Sequence, residues 1–84
     1  MQYRIQIAEK AIKYLNKVPE PYISTIKSKI DGLINFSGSM PNIKALQGEF
    51  KGFYRLRVGD YRVLFEVINE TIIVIDVFPR GNGY

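Results

Sequence analysis

Residues 53–68 decide the fold, and they read FYRLRVGDYRVLFEVI. Two runs in this stretch, 53–58 and 61–68, are rich in β-branched and aromatic residues, which is typical of β-strands. The dipeptide Gly59-Asp60 between them is typical of a two-residue hairpin turn. The stretch therefore predicts an antiparallel β-hairpin.

A two-residue turn also fixes which side chains face each other. Counting away from it pairs apolar residues on one face of the hairpin: Val58 with Tyr61, Leu56 with Val63, and Tyr54 with Phe65. We expect this face to lie on the core. Because side chains alternate along a strand, the other face carries Arg57 opposite Arg62 and Arg55 opposite Leu64. Like charges in direct opposition are destabilising, so we interpret the arginine pair as a place for an anion.

A third strand-like run, 71–78, follows the divider Asn69-Glu70. A two-residue loop there pairs Ile68 with Thr71 and Arg62 with Val77, and it brings Arg80 beside the Gly59-Asp60 turn. The same count places Asp76 on the core face, and a longer loop shifts the register. The expected arginine cluster is drawn from three segments and is joined by the tyrosine that follows: Arg55, Arg57, Arg62, Arg80 and Tyr84.

The first half of the chain adds a strand and two helices. Alternating Tyr3, Ile5 and Ile7 predict the strand, and a helical apolar stripe then follows at Ala8, Ala11, Ile12 and Leu15. Pro19 and Pro21 end the first helix, and Pro21 begins a second one with the stripe Ile23, Ile26, Ile30, Leu33 and Ile34. Turn formers fill 36–42. We predict one α+β domain over 1–84, ordered β-α-α-β-β-β, with a helical hairpin on one face of a mostly antiparallel, twisted sheet.

Composition limits the chemistry. The 84 residues include no cysteine and no histidine, which excludes thiolate and histidine nucleophile arrangements and the corresponding metal sites. The acids are scattered singly, and no glycine-rich phosphate loop precedes a helix, so we expect neither a metal nor a nucleotide cofactor. The net charge of +4 favours polyanionic partners. What remains is metal-free work on a phosphodiester by positive charge and a tyrosine.

An ordinary solvated surface is the alternative interpretation of the arginines. In that case Glu66, Glu70 and Asp60 are their ion-pair partners. The helix lysines are interpreted in this way throughout, as charges that keep exposed helix faces soluble: Lys10, Lys13, Lys17, Lys27 and Lys29.

Residues 46–67 strongly resemble the RelE/ParE superfamily of type II toxins, and the RelE branch in particular. The most specific part is the stretch 54–62, YRLRVGDYR, and the ending 79–84, PRGNGY, is similar to the closing motif of the family. The order of predicted elements matches that fold over essentially the whole chain. The resemblance implies a ribosome-dependent endoribonuclease that cleaves messenger RNA in the decoding site by metal-free attack of a 2′-OH on the adjacent phosphate.

The resemblance also implies roles for individual residues. Arg62 and Arg80 stabilise phosphate charge, Tyr84 orients or deprotonates the 2′-OH, and Arg55 and Arg57 occupy places often held by basic residues. Lys44 and Lys51 are further candidates for contacts to RNA phosphates. Some members have a lysine that exchanges protons where this chain has arginine, which is unsuited to that task.

Two other functions stay open at this point. One is a ParE-like protein that inhibits gyrase by binding it, and the other is an inactive member that only binds its antitoxin. The resemblance also implies a cognate antitoxin as partner. With no leader pattern at the first residues and no apolar run near the roughly 18 residues that a membrane span needs, we expect a cytoplasmic protein.

Overall fold

The computed structural model describes residues 2–82, and this part of the chain contains two α-helices and five β-strands. The strands are β1 (Arg4–Ile7), β2 (Ile43–Ala45), β3 (Phe53–Val58), β4 (Tyr61–Ile68) and β5 (Thr71–Pro79). The helices are α1 (Glu9–Leu15) and α2 (Tyr22–Asp31), and short 3₁₀ turns occupy Gly32–Asn35 and Gly48–Phe50. The predicted α+β order is confirmed, with β2 as an additional strand.

One sheet contains all five strands, in the order β1-β5-β4-β3-β2. The strands β2 to β5 are antiparallel neighbours, whereas β1 pairs with β5 in parallel. The prediction of a mostly antiparallel sheet is therefore confirmed. Strand β2 was missed because three residues are too few to display an alternating pattern.

The register of the β3–β4 hairpin is the predicted one along its whole length. Val58 pairs with Tyr61, and Arg57 pairs with Arg62. The turn requires a positive φ of 57° at Gly59, a conformation that glycine adopts without steric cost. The local turn chemistry thus sets the register of the β3–β4 hairpin.

The predicted register of the β4–β5 hairpin is wrong by one residue at its far end. Ile68 does pair with Thr71, but an irregularity between Leu64 and Phe65 shifts the later pairs, so that Arg62 faces Phe78 instead of Val77. Val77 lies opposite Val63, where the predicted register had placed Asp76. An inserted residue of this kind is a β-bulge, and it moves an apolar side chain onto the core face.

The bulge leaves Asp76 as the single charged residue among the buried side chains of residues 2–82, with 8% of its surface exposed. Its Oδ1 accepts a hydrogen bond of 2.9 Å from the backbone N–H of Val77, and its Oδ2 lies 3.1 Å from Nζ of Lys10 on α1. Both oxygens therefore have partners, as a buried carboxylate requires. Lys10, interpreted from the sequence as a solubilising charge, has a structural role here.

Both helices contribute to one hydrophobic core on one face of the sheet. Ala11 and Leu15 of α1 and Ile26 and Ile30 of α2 are buried with side chains from β3, β4 and β5. Helices of 7 and 10 residues are too short to be stable alone, so this packing holds them. Ile12 was expected in the buried stripe but is 44% exposed, since the apolar face of α1 that meets the sheet is narrower than the stripe.

Candidate functional site

The cationic cleft is a depression of about 370 Å³ that crosses β2, β3 and β4. Its described lining residues are Asn42, Ile43, Lys44, Arg55, Arg57 and Arg62. Lys44 pairs with Arg55 across β2 and β3, and Arg57 pairs with Arg62 across β3 and β4. Four cations therefore stand in two adjacent cross-strand pairs, and none of the described lining residues is acidic. Such a surface is suited to a phosphate-bearing ligand.

Arg57 is held in the cationic cleft by Asn42. The Oδ1 atom of Asn42 accepts a hydrogen bond of 2.9 Å from Nη2 of Arg57, and the backbone oxygen of Asn42 accepts one of 2.9 Å from the backbone N–H of Arg57. Asn42 adopts a φ of 66°, which asparagine tolerates better than most residues. The Asn42 side chain therefore fixes the guanidinium of Arg57 without neutralising its charge.

Asn42 was not among the residues predicted for the site. The signal available in the sequence was its position at the end of a segment of turn formers, where asparagine often adopts a left-handed conformation. That signal predicts a turn. It does not reveal a hydrogen bond to a residue 15 positions further along the chain.

Arg62 folds back onto the β3–β4 turn. Its Nη1 atom donates hydrogen bonds of 2.9 Å to the backbone oxygens of Gly59 and Tyr61. A guanidinium has five N–H donors, so these two bonds leave donors for an anion. The turn that sets the hairpin register therefore also orients one member of the arginine pair.

Arg80 lies beside the Gly59-Asp60 turn, as predicted, but it is not among the residues that line the cationic cleft. Its backbone N–H donates to the backbone oxygen of Asp60 at 2.7 Å, and its Nη1 lies 3.9 Å from Oδ1 of Asp60. The two side chains are 71% and 85% exposed, so this ion pair is weak. At the turn, the Arg80–Asp60 ion pair supports the alternative interpretation, in which acids neutralise the arginines.

Glu66 is the other acid to consider near the cationic cleft. It faces Phe53 in the β3–β4 ladder and is a diagonal neighbour of Arg55 on the same face of the sheet. The register therefore allows an interaction between Glu66 and Arg55, while Arg57 and Arg62 pair with one another one step further along.

Of the remaining predicted site residues, only Lys44 lies in the cationic cleft among those that the structure describes. Lys44 lines the cationic cleft, whereas Lys51 is exposed in the turn before β3 and is not part of the lining. Tyr84 lies outside the described residues. Thus the structure brings together Arg55, Arg57, Arg62 and Lys44, with Arg80 at the neighbouring turn.

Three tyrosine rings meet between the two helices and β4. The ring of Tyr61 lies 6.5 Å from that of Tyr14 and 6.0 Å from that of Tyr22. Burial raises the pKa of Tyr14 above its ordinary value, and the neighbouring Tyr61 and Asp76 raise it further. A phenol held in its neutral form is a poor general base, so Tyr14 is unsuited to proton abstraction.

Within residues 2–82, no group of three or more aspartates or glutamates is placed to hold a metal ion. The two helices are also too short and too polar to cross a membrane.

Comparison with known proteins identifies the chain as a type II toxin of the RelE/ParE superfamily. A family profile described as the ParE toxin of the type II toxin-antitoxin system parDE matches residues 5–84, and the chain belongs to this family. Toxin RelE3 of Methanocaldococcus jannaschii is 34% identical over 96% of this chain and 94% of the relative.

Solved structures show the same likeness. The archaeal RelE-RelB complex of Pyrococcus horikoshii contains a chain that matches with a TM-score of 0.82 and 28% identity, over 99% of this chain and 100% of that one. The isolated RelE toxin of E. coli matches with a TM-score of 0.76 and 24% identity, over 96% and 87% of the two chains, which is evidence of the shared fold. The resemblance inferred from residues 46–67 is confirmed.

Proposed function

We propose that this toxin is a ribosome-dependent endoribonuclease that cleaves messenger RNA. The observation that carries the proposal is the Arg57–Arg62 cross-strand pair, set beside Lys44–Arg55 in one cleft. Two adjacent pairs of like charge lower the stability of the sheet, and a bound phosphodiester relieves that cost. A binding role for the cleft explains why the sequence keeps these charges together.

The proposed reaction needs no metal because guanidinium groups supply the positive charge. The 2′-oxygen attacks the adjacent phosphorus, the bond to the 5′-oxygen breaks, and the products are a 2′,3′-cyclic phosphate and a 5′-hydroxyl. Arg57 and Arg62 donate hydrogen bonds to the phosphate oxygens as charge develops on them. Arginine does not give up a proton, so we assign removal of the 2′-OH proton to Tyr84, and the leaving 5′-oxygen takes a proton from solvent.

Cleavage of messenger RNA in programmed ribosomes tests this proposal. Arg57→Ala and Arg62→Ala should each lower the cleavage rate by about 100- to 1000-fold, the range observed when one donor to a developing oxyanion is removed. Lys27→Ala, which removes an exposed charge from α2, is the matched control and should cleave normally. Unchanged cleavage in both arginine variants would remove the proposal.

Arg80 and Tyr84 complete the proposed site. Arg80 reaches the phosphate from the neighbouring turn, in exchange for its weak contact with Asp60. Asp60→Asn should therefore leave cleavage intact or increase it, while Arg80→Ala and Tyr84→Phe should reduce it. A large loss of cleavage in Asp60→Asn would show that the Arg80–Asp60 contact is required rather than exchanged.

We also propose a cognate antitoxin as the protein partner. Two of the similar structures, from Pyrococcus horikoshii and Methanococcus jannaschii, are RelE and RelB together. An antitoxin that covers the cationic cleft would have to be acidic there, since the cleft carries four cations. Co-purification with the product of an adjacent small gene is the direct check. We infer a cytoplasmic location from the proposed target, since messenger RNA is translated there.

Inhibition of gyrase is the second candidate, favoured by the matching family profile, which describes a ParE toxin. In that case the protein acts by binding, and expression causes gyrase-dependent DNA damage while translation continues. The endoribonuclease proposal expects the reverse, with translation stopped first and messenger cut. Expression without growth arrest would instead indicate an inactive member that only binds its antitoxin.

A further inference from the structure

A second cleft adjoins the cationic cleft and shares three of its residues. The shared residues are Asn42, Ile43 and Arg57. The second cleft has a volume of about 270 Å³ and lies between the end of α2 and the segment 36–42. An RNA strand that passes from the arginine pair over Asn42 therefore meets this second cleft next.

The inside of the second cleft is apolar. Leu33 and Leu56 are 1% and 5% exposed and belong to the hydrophobic core, and Met40 and Pro41 form part of the wall. The wall segment is folded by local bonds, since the backbone N–H of Ser37 donates to Sδ of Met40 at 3.2 Å and that of Met40 donates to the oxygen of Ser37 at 3.1 Å. A flat, weakly polar group such as a nucleobase is compatible with these surfaces.

The rim of the second cleft is polar and basic. Ser28 and Lys29 border it on the α2 side, and Asn42 and Arg57 border it on the side of the cationic cleft. No acid is found among the lining residues that the structure describes. The charge thus continues from one cleft to the next, with cations at both ends and an apolar interior between them.

We propose that the second cleft binds the nucleotide that flanks the cleaved bond, with its base against the apolar wall and its phosphate near Lys29. The inference rests on the proposed function, because the RNA strand must first occupy the cationic cleft. It assigns a role to Lys29, which the sequence suggested only as a solubilising charge, and it makes Asn42 the divider between two positions of one RNA strand.

Gly32 allows the second cleft to be blocked without disturbing the arginines. It lines the cleft, its φ is −64°, and a Cβ added to it meets no atom within 4 Å. Gly32→Phe therefore adds a ring at the wall of the cleft with an ordinary backbone conformation. Gly38→Phe, which adds the same ring at an exposed glycine outside the lining, is the matched control. Lys29→Ala removes the rim charge, and Lys27→Ala, on the same helix but outside the lining, is its control.

Binding is measured with a labelled single-stranded RNA that carries 2′-O-methyl groups throughout, so that no 2′-oxygen can attack. Gly32→Phe and Lys29→Ala should each weaken binding by about tenfold, the scale of one lost base or phosphate contact. Gly38→Phe and Lys27→Ala should stay within about twofold of the unaltered protein. Equal affinities within each matched pair, or no binding of RNA by the unaltered protein, would overturn the inference.

Cleavage in programmed ribosomes separates this inference from the proposed function. If Arg57→Ala and Arg62→Ala lose cleavage while Gly32→Phe cleaves like Gly38→Phe, the second cleft has no role and the proposed function stands. If both arginine variants cleave fully, the proposed function itself is wrong. The expected result is loss in the arginine variants and an intermediate, roughly tenfold reduction in Gly32→Phe and Lys29→Ala.

Discussion

Arg57 and Arg62 face each other across β3 and β4, yet each guanidinium is held by a different set of oxygens. Arg57 bonds to the side chain of Asn42, and Arg62 bonds to the backbone of the turn at Gly59 and Tyr61. All of these acceptors are neutral, so they orient the two guanidinium groups without removing their charge. The pair is thereby prepared for an anion before one arrives.

The first prediction concerns stabilisation by phosphate. Because an anion between Arg57 and Arg62 binds only the folded protein, phosphate at ten times its Kd should raise the free energy of unfolding by about 1.4 kcal/mol, or several degrees in Tm. Thermal unfolding in phosphate, compared with chloride at equal ionic strength, measures this. Arg57→Gln should lose the difference and Lys27→Gln should retain it, and an equal response in both variants would contradict the prediction.

The second prediction separates the two contributions of Asn42. Asn42→Gly keeps the positive φ and loses the bond to Arg57, whereas Asn42→Ala loses the bond and strains the backbone. We expect Asn42→Ala to lower the free energy of unfolding by about 1 kcal/mol more than Asn42→Gly does. Both should reduce cleavage similarly, and neither should reduce it further in an Arg57→Ala background. Urea unfolding and the ribosome cleavage assay are the two measurements.

The third prediction concerns the buried carboxylate of Asp76. Asp76→Ala leaves the buried N–H of Val77 without its acceptor, which should lower the free energy of unfolding by about 1–3 kcal/mol. Lys10→Ala should cost less, about 0–1 kcal/mol, since the Lys10 side chain is 68% exposed and water replaces the ion pair. Urea denaturation checks the order of the two losses. Asp60→Asn, at an exposed acid, is the control and should be close to neutral.

The fourth prediction follows from the raised pKa of Tyr14. In the unfolded chain this phenol ionises near its reference pKa of about 10, whereas in the folded protein it keeps its proton to higher pH. The unfolded state therefore binds fewer protons above pH 10, and stability falls as the pH rises through that range. Unfolding followed from pH 9 to pH 11 should show a smaller decline in Tyr14→Phe than in Tyr22→Phe. The opposite order would show that burial of Tyr14 is not responsible.

Local sequence determined the part of the site on β3 and β4. The two-residue turn at Gly59-Asp60 fixes the register on its own, so the pairing of Arg57 with Arg62 could be predicted without knowing the rest of the fold. The same turn carries the oxygen that orients Arg62. The absence of cysteine and histidine likewise excluded whole classes of chemistry from composition alone.

Tertiary structure decided how that hairpin becomes a cleft. Strand β2 sets Lys44 beside Arg55, and Asn42 bonds to Arg57. The bulge in the β4–β5 pairing puts Val77, instead of Asp76, opposite Val63. Each of these depends on contacts between residues far apart in the chain, or on the packing of one apolar side chain against a core that no single segment contains. Turn chemistry acts over two to four residues. The long-range contacts and the bulge are therefore set only when the whole sheet and its helices pack together.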